Sequence, residues 1–138
     1  MSIEITSEEV GRIALFANLA PQELVRVASA ARSLAVAAGE TVIGEGEFAF
    51  DVYAVARGAV EVRCEGGTVA ALAAGEVFGE LSVVSGPAGP STRRRTASVV
   101  ASEPSELIVI DGTVLRRLAE EIPALRVADA ALGAARSR

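Results

Sequence analysis

The residues best placed to do chemistry lie in two segments. One is Phe78-Gly79-Glu80-Leu81, and the other is Arg95-Thr96-Ala97-Ser98-Val99, whose arginine falls fifteen positions past Glu80. Gly79 lets the backbone approach a ligand closely, the Glu80 carboxylate can accept from a sugar hydroxyl, and Arg95 presents a planar fork of donors to a phosphate. Together they describe a clamp for a phosphorylated sugar. If Leu81 to Val84 open a helical turn, their free N–H groups and the positive helix end form an anion site. Arg95 would complete the charge, because a buried anion left without a partner is strongly destabilising. The backbone N–H groups of Leu81 and Ala97 are further donors, and Glu80 would accept from a ribose 2′-hydroxyl.

Other chemistry finds little footing. The chain has no histidine, which removes the usual general base and the commonest metal ligand. It has no lysine either, so Ser82, Ser85 and Ser91 lack an activating partner. The single cysteine, Cys64, excludes an internal disulfide and a cysteine-built metal site, and reads as a strand-end thiol. Glu8-Glu9 and Glu120-Glu121 are adjacent helical pairs that point in different directions and read as solvated faces. A net charge of −5 repels a polyanion, so direct nucleic-acid binding is not expected. Of the basic run Arg93-Arg94-Arg95, the first two read as a solvated loop.

The elements that must position the clamp follow from local pattern. With 138 residues and 51% hydrophobic content, one domain with a substantial core is expected, and no apolar run reaches membrane-spanning length or reads as a signal segment. A cytoplasmic location is the corresponding expectation. Thr6 and Glu9 stand at capping-box spacing for a short helix, and Pro21 pre-sets a second helix that should end near Arg32. From Leu34 onward, recurrent glycines separate short β-prone runs: Thr41–Ile43, Val52–Ala56, Ala59–Arg63, Thr68–Leu72, Thr96–Ala101 and Glu106–Ile110. This texture predicts a mainly β fold with flanking helices, an antiparallel β-roll of jelly-roll type. Asp111 can cap a helix running to about Glu121. Pro123 breaks it before a last helix carrying Leu125, Ala128 and Leu132.

These features in this order resemble the cyclic-nucleotide-binding domain family over roughly residues 15–125. The matches are Leu15-Phe16-Ala17-Asn18-Leu19 at the helical entry, Ala38-Gly39-Glu40-Thr41-Val42-Ile43 at the first barrel turn, and the tight turn Gly44-Glu45-Gly46-Glu47. Val52 to Arg57 resembles the family's central strand, and Gly58 its hairpin glycine. Gly75-Glu76-Val77-Phe78-Gly79-Glu80 then leads into its phosphate-binding cassette. The resemblance implies one domain over 1–138, with a helical entry at 7–32, a β-roll at 34–110 and C-terminal helices of the family's B and C type at 111–135.

It further implies a ligand, cAMP or cGMP, held by Gly79, Glu80, Leu81, Arg95, Thr96 and Ala97, with no other cofactor and no catalysis. Thr96 resembles the position where family members that accept guanine as well as adenine place a hydroxyl. It can equally be an ordinary β-branched strand residue. Val60, Val62 and Val69 are expected to wall the base pocket, with Leu115, Leu118, Ile122, Leu125 and Leu132 covering its open end and Pro123 acting as hinge. The role implied is a regulatory module that passes a C-terminal helix movement to an effector domain or protein, with homodimerisation through the C-terminal helix. The alternative is an orphan domain of the same fold, structural or dimerising, without nucleotide. What keeps it open is the turn-rich spacer Ser85 to Thr92, longer than the family's usual one.

Overall fold

Local rules set the helical entry. In the computed structural model, which describes residues 5–44, 51–64, 67–78 and 98–125, Thr6 caps α1 (Ser7–Gly11). Its Oγ1 accepts from the Glu9 N–H at 3.1 Å, and the Glu9 carboxylate accepts from the Thr6 N–H at 3.3 Å. These are the two reciprocal bonds of a capping box. A 3-10 turn at Ala14–Phe16 leads to α2 (Pro21–Ala30), which carries proline at its first position. Alanine offers no side-chain oxygen at the cap, so only the return bond forms there, from the Ala20 N–H to Glu23 Oε1 at 2.8 Å.

The helix stops at Ala30 and β1 (Ala31–Val36) follows with no linker. The expected helix end near Arg32 and the expected roll start at 34 therefore both fall too late. Nothing in Ala31-Arg32-Ser33 favours a strand. Tertiary pairing supplies the reason: β1 lies antiparallel to β8 (Ser105–Asp111) over its full length, from Ala31↔Ile110 to Val36↔Ser105.

The remaining strands are β2 (Thr41–Ile43), β3 (Asp51–Arg57), β4 (Ala59–Cys64), β5 (Gly67–Ala73), β6 (Val77–Phe78), β7 (Ser98–Ala101) and β8 (Ser105–Asp111). They form two four-stranded sheets, ordered β1-β8-β3-β6 and β2-β7-β4-β5, with antiparallel pairing throughout the described residues. Among the described strands only β4 and β5 are chain neighbours in one sheet, and the other consecutive strands alternate between the two sheets. This is the roll connectivity that was expected, with one correction. Gly58 does not close a hairpin, because β3 and β4 belong to different sheets; it is a one-residue corner with φ +94°. The corner is clipped by Ser105, whose buried hydroxyl accepts from the Ala59 N–H at 3.1 Å and donates to the Glu103 carbonyl at 2.8 Å.

Three layers result, with two apolar cores. The outer core lies between the helices and the first sheet, where Val10, Ile13, Phe16 and Val27 meet Val52, Ala54, Val77, Ile108 and Ile110. The inner core lies between the sheets and joins Val36, Val55, Phe78 and Leu107 to Ile43, Val60, Val99 and Ala101. Because the first sheet is covered on both faces, β8 reads as an unbroken apolar run from Leu107 to Ile110 rather than an alternating one. Asp111 ends β8 and caps α3 (Gly112–Glu121), its Oδ1 accepting from the N–H groups of Thr113 at 2.8 Å and Val114 at 3.2 Å. Among the described residues no helix is long and apolar enough to cross a membrane.

Candidate functional site

The cassette residues Gly79, Glu80, Leu81, Arg95, Thr96 and Ala97 lie outside the described residues, together with the spacer between them. The two strands from which they extend are described. β6 ends at Phe78, one residue before Gly79, and β7 begins at Ser98, one residue after Ala97.

These two ends have different settings. β6 is a two-residue strand at the edge of the first sheet, in register with β3 through Tyr53↔Phe78 and Ala54↔Val77. It is held from behind by the turn at Gly75, whose N–H donates to the Val55 carbonyl at 2.8 Å, while Val55 N–H donates to the Glu76 carbonyl at 2.9 Å. The same glycine's carbonyl accepts from Ala14 N–H at 2.8 Å, tying the helical entry to the approach to Phe78. β7, by contrast, is interior to the second sheet, flanked by β2 and by β4 through Val62↔Val99 and Arg63↔Ser98.

The side chains of Phe78 and Val99 meet in one cluster, the inner core, and are nearly fully buried there. The two described strand ends that flank the cassette in sequence therefore border the same apolar core. Val60 is completely buried in that cluster. Val62, two residues on along the same strand face, is half-buried against the cluster. The side chain of Val69 is outside the described set.

Sequence reasoning missed Tyr53, the chain's one tyrosine. Its ring stacks on Phe78 with centroids 5.1 Å apart and planes 6° from parallel. No local signal could have shown this, since the pair depends on the register of β3 with β6.

Charged side chains around the roll are largely committed to one another. Arg26 pairs with Glu121, Arg32 with Asp51 at 3.4 Å, Arg57 with Glu106 at 3.6 Å and Arg63 with Glu61 at 2.7 Å. All four are surface pairs, each contributing about 0–1 kcal/mol. Among the described residues no group of histidine, cysteine or acidic side chains could hold a metal ion.

Leu115, Leu118, Ile122 and Leu125 are buried in the outer core, under α1 and α2 and against the outer face of the first sheet. They are not part of the core between the sheets. The expectation that these residues cover the pocket is thus corrected: their apolar stripe is already spent on the helical layer. Leu132 lies outside the described residues.

The described residues thus form a helix-flanked antiparallel β-roll of two four-stranded sheets. The profile of the cyclic nucleotide-binding domain matches residues 33–121, and the chain belongs to that family. The cGMP-dependent protein kinase egl-4 of Caenorhabditis briggsae is 31% identical over 76% of this chain, which spans 13% of the kinase. Cyclic nucleotide-gated channel beta-3 of Canis lupus familiaris is 27% identical over 89% of the chain, which spans 16% of the channel. Among solved structures, the Thermus thermophilus catabolite activator protein is 32% identical with a TM-score of 0.77, covering 91% of this chain and 58% of its own. The regulatory domain of Toxoplasma gondii PKA with cAMP has the same fold, with a TM-score of 0.77 at 21% identity, over 95% of this chain and 48% of its own.

Proposed function

We propose that this domain is a sensor that binds cAMP or cGMP through Gly79, Glu80, Leu81, Arg95, Thr96 and Ala97. The observation that carries the reading is that Phe78 and Val99, on the strands that flank the cassette in sequence, are buried in one apolar cluster. Family membership supports the ligand class, and the engagement of Arg26, Arg32, Arg57 and Arg63 by carboxylates supports Arg95 as the cation for the phosphate. The domain acts by binding rather than by catalysis, in the cytoplasm, and signals to an effector domain, a protein partner or a second copy of itself.

Thermal melting with each nucleotide tests this directly. At about 100 times its Kd a ligand adds roughly 2.7 kcal/mol to the native state. For a domain of this size, that is a rise in Tm on the order of 10 °C. A nucleotide that leaves Tm unchanged at millimolar concentration would favour the second reading, the orphan structural domain. The long spacer Ser85 to Thr92 is the observation that favours that alternative.

The route of the signal is supported by β6. Its two residues face opposite ways, Phe78 into the inner core and Val77 into the outer core that also holds Leu115 and Leu118. A ligand that prefers one arrangement of Gly79-Glu80 therefore biases the packing under α3, and only such a preference can shift the equilibrium. Saturating nucleotide is expected to slow amide exchange across residues 112–135 as well as around Glu80 and Arg95. Protection confined to the cassette would remove the transmission step while leaving binding intact.

A further inference from the structure

We infer that the cavity where α1 meets the end of β3 and the Gly75 turn is a site for a small oxyanion of phosphate size, held between Arg12 and Arg57. The cavity has a volume of about 150 Å³, and Glu9, Arg12, Val55, Ala56, Arg57 and Gly75 are among the residues that line it. All of them are described, and none belongs to the nucleotide cassette. A bulge brings Arg57 there. Side chains alternate along a strand, so with Val55 in the inner core Arg57 would ordinarily point inward as well. The β3–β8 ladder instead skips Ala56, pairing Val55 with Leu107 and Arg57 with Glu106, and this turns Arg57 to the face on which the helical entry packs. Its closest approach to Glu106 is through Nε at 3.6 Å, beyond hydrogen-bond length, and its side chain is 81% exposed. The guanidinium fork therefore keeps donors for a second acceptor. Arg12, at the end of α1, is exposed, and its side chain has no partner among the described residues. Glu9 offsets one charge, but its carboxylate is taken up at the α1 cap, accepting from the Thr6 N–H at 3.3 Å and Oγ1 at 3.1 Å. Two guanidinium groups against one carboxylate leave the cavity positive, in a chain of net charge −5. Its walls are fixed by backbone bonds: Gly75 N–H donates to the Val55 carbonyl and Ala14 N–H to the Gly75 carbonyl, both at 2.8 Å. So small a space admits an ion rather than a chain segment. An anion bound there braces the helical entry against the first sheet.

The test uses the full chain and inorganic phosphate, without nucleotide. Thermal melting is followed in phosphate and in chloride at matched ionic strength, for the parent and for Arg12→Gln, Arg57→Gln and Arg117→Gln. Arg117 is an exposed arginine on α3 that does not line the cavity, so its variant removes the same charge elsewhere. Phosphate at ten times its Kd should raise the parent's Tm by about 5 °C over chloride. Arg12→Gln and Arg57→Gln should each weaken phosphate about five- to tenfold, and Arg117→Gln should match the parent. Melting in chloride shows separately that each variant folds. Phosphate without effect on the parent overturns the site. So do equal losses in all three variants, which would make the effect diffuse charge. Phosphate affinity unchanged in Arg12→Gln and Arg57→Gln would put the anion elsewhere, the proposed nucleotide cassette included, and overturns the site while leaving the proposed function standing. Should the parent bind phosphate as expected but neither cAMP nor cGMP, the proposed function fails and the cavity site stands.

Discussion

Replacing Arg95 with alanine is expected to weaken cAMP or cGMP binding by roughly 30-fold to several thousand-fold, about 2–5 kcal/mol. In the proposed site the cyclic phosphate would bring one negative charge, and its desolvation would have to be offset by a directional cation. In sequence Arg95 lies three positions before β7, a strand held between two neighbours, and the cassette motif runs directly from it into that strand. Arg93 and Arg94 have no such anchoring argument, and Arg93→Ala and Arg94→Ala should each change affinity by no more than an exposed charge does, within about 1 kcal/mol. Calorimetric titration of the three variants decides the matter. Equal losses in all three would mean that the run acts as diffuse charge and that the clamp has been assigned to the wrong group.

Gly58→Ala is expected to destabilise the fold by about 2–5 kcal/mol, combining about 1–2 kcal/mol for a left-handed alanine with about 1–3 kcal/mol for overpacking. Its φ of +94° is one cause, and the space around it is the other. A Cβ there would stand 2.3 Å from Ser105 Oγ and 2.8 Å from both the Pro104 carbonyl oxygen and the Ser105 Cα. The backbone atoms cannot step aside without opening the Ser105 clip on Ala59. Gly39→Ala is the control, because its φ is +85° but nothing lies within 4 Å of the added Cβ. It should cost only the conformational part. In thermal melts Gly58→Ala should lose on the order of 10–20 °C and Gly39→Ala a few degrees. Equal losses would show that strain alone, and not the crowded corner, makes glycine necessary at position 58.

Much of this architecture could be read directly from the chain. Thr6 with Glu9, Pro21 and Asp111 mark helix starts through local hydrogen bonding and ring geometry, and the structure places caps and first turns there. The glycine-punctuated strands from Thr41 to Ile110 appear within a residue or two of their expected bounds wherever they are described. What failed was whatever depends on distant partners. β1 is a strand because β8 is there to receive it, and Ala31-Arg32-Ser33 carries no hint of that. Gly58 announced a left-handed turn, but whether the next strand stays in the sheet or leaves it is not a local property. The same holds for Leu115, Leu118, Ile122 and Leu125. Their spacing declares an apolar stripe without saying that the first sheet's outer face, rather than the core between the sheets, would take it up. The cassette residues read from the sequence lie outside the described residues, and the fold describes only the strand ends on either side of them.

Alternation between sheets also fixes the order in which this domain can come into being. β1 finds its partner in β8, with Ala31 opposite Ile110, and β8 is in turn the strand that joins β1 to β3. As synthesis proceeds, then, the first sheet lacks its central member until the chain has been made past Asp111. The one pairing open earlier between chain neighbours is β4 with β5. Such dependence on remote partners places the domain among slow folders, with loop closure opposing assembly before most contacts can repay it. The helical entry, complete long before, has to wait with Val10, Phe16 and Val27 uncovered until the sheet beneath them closes.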